Sequence, residues 1–87
     1  MIDRNVEANK LLGANLKRLR MAKNLSQHQL YLLSGIALSQ IGKIEAGVGN
    51  PTISTALELV IALEVTLDAL LPPAEYHRFV KTGLGIR

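Results

Sequence analysis

Cysteine is missing from the 87 residues, which removes disulfides, thiolate nucleophiles and thiolate-bound zinc together and fits a cytoplasmic protein. The two histidines, His28 and His77, stand far apart in the chain, and the carboxylates show no metal-ligand spacing. A glycine-rich phosphate loop ending in Gly-Lys-Ser/Thr is absent as well. The most apolar stretch, 56–71, is interrupted by Glu58, Glu64 and Asp68, so it is no membrane span. Where a signal peptide would carry its apolar core, the N-terminus carries Asp3, Arg4, Asn5 and Glu7. There is no internal repeat, no low-complexity tract and no β-rich segment. Together these absences argue against catalysis, against a bound metal or cofactor, and against a membrane location.

What is present is small, helical and unevenly charged. A chain of this length makes one domain with one core. The net charge of +3 is concentrated at the front. Residues 1–43 carry Arg4, Lys10, Lys17, Arg18, Arg20, Lys23 and Lys43 against Asp3 and Glu7, whereas from residue 44 onward acids outnumber bases. A basic N-terminal half is what a phosphate-facing surface requires, although a solvated surface accounts for the same charges.

Periodicity places five helices. Leu12, Leu16 and Leu19 recur at i, i+4, i+7 and mark the buried stripe of a first helix over about 6–23, with Asn24 as its left-handed terminus. Ser26 followed by Gln29 is a capping box that opens a second helix with Leu30 and Leu33 as its apolar stripe. Gly35 ends that helix at positive φ. A third helix carries Ile41 and Ile44 inward and stops near Gly47. Thr52 is the expected cap for a fourth helix ending near Leu63, and Thr66 for a short fifth through Leu71. Pro72-Pro73 then divides a domain of 1–71 from a tail of 72–87.

Two short helices joined by a glycine turn form a helix-turn-helix, which projects the second helix at a width that fits the DNA major groove. Residues 26–47 and both flanks, from Leu12 to Leu71, resemble the phage-repressor and Cro-type helix-turn-helix family of Xre-type transcriptional regulators. The resemblance is carried by an ordered set: Gly13, Leu16, Leu19, Arg20, Ser26, Gln27, Leu30, Gly35, Ile41, Ile44, Glu45, Gly47, Asn50, Pro51, Leu63 and Leu70. It implies an all-α, compact five-helix, repressor-like fold that binds double-stranded DNA.

On a helical wheel, Ser39, Gly42, Lys43 and Ala46 fall opposite Ile41 and Ile44, with Leu38 and Gln40 on the flanks. The resemblance marks this surface as base-facing, especially Leu38, Ser39 and Lys43. Lys43 suits guanine O6/N7, Gln40 adenine if it swings toward the groove, and Leu38 a thymine methyl. Gln27 opens the second helix, where free N–H groups and the helix dipole favour a phosphate. In the family the matching glutamine grips the backbone there and braces the start of the recognition helix. Asn50 and Thr52 lie in the loop that the family sets against the other backbone flank, and Thr52 also serves as a cap. The resemblance further implies a structural ion pair between Arg20 and Glu45.

Three residues depart from the family pattern. Tyr31 replaces a small residue, so either the second and third helices are splayed or its ring points outward. Ala37 replaces a Ser/Thr cap, and Gly42 sits mid-helix; each costs about 1 kcal/mol of helix stability. The fourth helix is too apolar for one buried stripe. Ile53, Ala56, Val60 and Leu63 match core positions, which leaves Leu57 and Ile61 at the edge. With Leu71, Tyr76, Phe79 and Val80 they compose a two-fold dimer face, unless the tail folds back over them. The expected function is therefore a homodimeric regulator on a near-palindromic operator. The alternative is an antitoxin or adaptor that chiefly binds a protein partner, with DNA binding secondary.

Overall fold

A computed structural model of the chain describes residues 4–71, with side chains from residue 6 onward. Five α-helices succeed one another and the described residues hold no strand. They are α1 (Arg4–Ala22), α2 (Gln27–Ser34), α3 (Leu38–Glu45), α4 (Ile53–Leu63) and α5 (Leu67–Leu70). The all-α helix-turn-helix fold expected from the sequence is the fold observed. Its boundaries match to within a residue or two, and the expected tail, with Tyr76, Phe79 and Val80, lies outside the described residues.

Local chemistry sets most of the ends. Asn24 takes the left-handed conformation at φ 58° after α1. At α2 the capping box is complete: Ser26 Oγ accepts from the Gln29 amide, and Gln29 Oε1 accepts from the Ser26 amide. Gly35 closes the helix at φ 76°, its N–H donating to Tyr31 O. Thr52 caps α4 by accepting from the Thr55 amide. Ala37 opens α3 with no side-chain bond, as its chemistry requires. Thr66 stands at the cap position of α5, yet its hydroxyl makes no capping bond.

One core joins all five helices. Leu16, Leu30, Ile41, Leu59, Leu63 and Leu70 are its fully buried members, and Leu12, Leu19, Ile44, Ala56 and Val60 complete it. Two expected core residues are outside it. Leu33 is exposed, since the face of α2 directed inward is centred on Leu30 alone. Ile53 is 71% exposed because, as the first residue of α4, it overhangs the edge that Ala56, Leu59, Val60 and Leu63 define. The second helix keeps its contact with α3, and Tyr31 is 37% exposed beside His28, with ring centroids 5.6 Å apart. Of the two arrangements open for Tyr31, the outward ring is the one adopted.

Candidate nucleic-acid interface

One face of α1 governs where α3 lies. Asn9, Gly13, Leu16 and Arg20 recur on it at i, i+4, i+7 and i+11. Asn9, Gly13 and Arg20 each meet α3 or the loop after it. A Cβ built on Gly13 would collide with the carbonyl oxygen of Ile44, so glycine alone lets the two helices approach this closely. Leu16 is fully buried behind that contact. Arg20 then closes a fork on Glu45, the last residue of α3: Nε donates to Oε2 at 2.7 Å and a terminal nitrogen to Oε1 at 2.9 Å. The remaining terminal nitrogen donates to Leu25 O at 2.7 Å. The hydrogen bond to Glu45 raises the Arg20 pKa against the opposing effect of burial, so the guanidinium stays charged.

Glu45 accepts a third bond, from a second residue. Gln27 Nε2 donates to its Oε1 at 3.1 Å, so the glutamine braces the end of α3, not its start. The carboxylate can only accept, which fixes the amide with its nitrogen toward Glu45. Gln27 remains at the first position of α2, where the free N–H groups of the helix emerge.

Ile41 and Ile44 face inward as expected, and Leu38, Ser39, Lys43 and Ala46 are exposed on the other side of α3. Gln40 and Gly42 are half-buried at the margins. Asn50 and Thr52 come next, in the α3–α4 loop, both exposed. Along α4, Ile53, Leu57 and Ile61 recur at i, i+4, i+8 as an exposed apolar line, Leu57 at 42% and Ile61 at 68%. Leu71 is half-buried against the core, a less open position than Leu57 and Ile61.

Two asparagines make polar contacts that the sequence does not announce. Asn15 is buried and its Nδ2 donates to Leu70 O at 2.9 Å, tying α1 to α5. An amide at i+3 from Leu12, on a leucine stripe, was the available signal. Asn9 Nδ2 donates to Gly49 O at 2.7 Å and to Asn50 Oδ1 at 3.0 Å, which joins α1 to the α3–α4 loop. No local pattern marks it.

Among the described residues no group of three or more His, Asp or Glu is placed to hold a metal, and no helix is long and apolar enough to cross a membrane. What the geometry does define is a braced recognition-type helix with a free outer face. Residues 16–70 match the helix-turn-helix family HTH_3, and the chain belongs to that family of DNA-binding transcription regulators. It is 36% identical over 74 residues to an uncharacterized HTH-type transcriptional regulator of Sinorhizobium fredii, covering 85% of this chain and 96% of that one. It is 35% identical to the control protein C.SmaI of Serratia marcescens, over 76% of this chain and 79% of its relative. Among solved structures, the restriction-modification controller protein C.AhdI from Aeromonas hydrophila superposes with a TM-score of 0.69 at 37% identity, over 71% of this chain and 94% of that one. A transcriptional regulator of the same family from Vibrio cholerae superposes with a TM-score of 0.78 at 27% identity; 84% of this chain is covered but only 41% of that one.

Proposed function

We propose that this chain binds double-stranded DNA as a homodimer on a near-palindromic operator and regulates transcription from it in the cytoplasm. The observation that carries this reading is the opposition on α3: Ile41 and Ile44 are buried, while Leu38, Ser39 and Lys43 are exposed on a helix whose end is fixed by three bonds to Glu45. In this reading α3 lies in the major groove. Lys43 donates to a guanine edge, Ser39 and Gln40 offer further hydrogen bonds, and Leu38 meets a thymine methyl. Gln27 grips a phosphate at the start of α2, and Asn50 and Thr52 grip the backbone on the other flank. The two-fold partner packs on the exposed line Leu57 and Ile61, now extended by Ile53, together with Leu71 and the tail. The similarity to a control protein and to a restriction-modification controller protein supports a regulatory role. No catalytic role is assigned.

Lys43→Ala and Gln27→Ala separate the two kinds of contact. In a competition selection over randomised duplexes, Lys43→Ala relaxes preference at one operator position, by ~1–3 kcal/mol, and Gln27→Ala weakens all sequences alike. Equal behaviour of the two variants would contradict the assigned faces.

The second reading, an antitoxin or adaptor whose main partner is a protein, is favoured by Leu32 and Leu33, which are exposed on α2 in addition to the line on α4. Titrating the purified chain with itself and with a candidate partner distinguishes a homodimer from a hetero-complex.

A further inference from the structure

We propose that Asn9, on α1, is a positioning residue for DNA binding: it turns the Asn50 side chain so that its NH2 group faces the phosphate backbone. The inference rests on the DNA-binding reading and adds a residue to it from outside the helix-turn-helix.

Hydrogen-bond chemistry dictates the orientation step by step. Gly49 O is a backbone carbonyl and can only accept, so the Asn9 atom 2.7 Å from it is the amide nitrogen. That nitrogen carries two hydrogens, and its second contact, at 3.0 Å, is with the Asn50 side chain. Asn50 must therefore present its oxygen inward, and its own NH2 is left pointing away from α1. A phosphate oxygen is an acceptor as well, so only this orientation of Asn50 attracts it. An unrestrained surface asparagine samples both flips, one of which offers a carbonyl oxygen to the phosphate. By engaging Gly49 O, the same Asn9 group also satisfies a carbonyl beside the site.

The loop itself is built to keep this register. Gly47 and Gly49 sit at φ 81° and 83°, and a Cβ on Gly47 would stand 3.1 Å from Lys10 Cγ. The base of the Lys10 side chain, next to Asn9, thus packs against Gly47 of the loop. Asn9 shares its face of α1 with Gly13 and Arg20, which fix the end of α3. The backbone contact is in this way aligned to the recognition helix through α1.

The test is a double-mutant cycle on a random-sequence duplex at low salt, with wild type, Asn9→Ala, Asn50→Ala and the double variant. Each single substitution is expected to lower affinity by roughly tenfold on all sequences alike, the size of one hydrogen bond to a charged group. The double variant should bind no more weakly than Asn50→Ala alone, and the salt dependence should keep its slope because no cation is lost. Unchanged affinity of Asn9→Ala, or losses that simply add, overturns the inference while leaving the DNA-binding reading intact. Wild type that binds no duplex overturns both. Should Asn9→Ala fail to fold, the side-chain NH2 resonances of Asn50 in the intact chain decide it: they shift on adding duplex, and unmoved signals overturn the proposal.

Discussion

Arg20 uses all three guanidinium nitrogens inside the molecule, two on Glu45 and one on Leu25 O. Glu45 in turn accepts from Arg20 and from Gln27, so one carboxylate links α1, the start of α2 and the end of α3. The two side chains are only 10% and 5% exposed, which places the pair where removing one partner strands the other without water. Arg20→Ala is expected to lower the unfolding free energy by about 3–5 kcal/mol in urea denaturation, a large part of a small domain's total. A loss under ~1 kcal/mol would mean that the pair is solvated in solution. Because its pKa is raised on folding, the arginine's stabilising contribution is present throughout the neutral range. It is lost as pH rises through the guanidinium's own titration.

At the scale of the element, α3 is weak by its own sequence, with no side-chain cap at Ala37 and a glycine at position 42. Its stability comes from outside, through Ile41 and Ile44 in the core and Glu45 in the bonded network. A Cβ on Gly42 would meet nothing nearer than Gln27 Oε1 at 4.0 Å, and the residue lies in an ordinary helical conformation. Gly42→Ala should therefore stabilise the domain by about 0.5–1 kcal/mol and raise its melting midpoint by a few degrees. A lowered midpoint would show that the α2–α3 crossing is tighter than the geometry indicates. The same element shows what a sequence reveals. The Ser26–Gln29 box, the Gly35 turn and the Thr52 cap are each decided within four residues and were legible in advance. Leu33 and Ile53 were misplaced because periodicity assigns an apolar residue to a face without saying where the neighbouring helix ends. Asn9 and Asn15 reach partners about 40 and 55 residues away; the leucine stripe marks Asn15 as inward without naming its partner, and no local pattern marks Asn9. The outward-facing set of α3 was legible because two buried isoleucines fix the wheel.

Taken whole, the molecule has a basic half and an apolar line. Ile53, Leu57 and Ile61 lie on α4, outside the core, with the exposed acids Glu58, Glu64 and Asp68 on α4, its C-cap and α5. In the proposed dimer, association through that line would leave α3 of each copy free for the groove, and two half-sites read together would add their energies. Leu57→Glu with Ile61→Lys changes residues that are 42% and 68% exposed, so the fold should survive and the dimer should not. The direct test of a dimer that holds phosphates is the slope of log affinity against log salt for wild type and this double variant on one duplex. If each subunit neutralises roughly three phosphates, the wild-type slope is about −5 and that of the folded monomer about half as steep. A flat dependence for wild type, or the same slope for both proteins, would contradict the account.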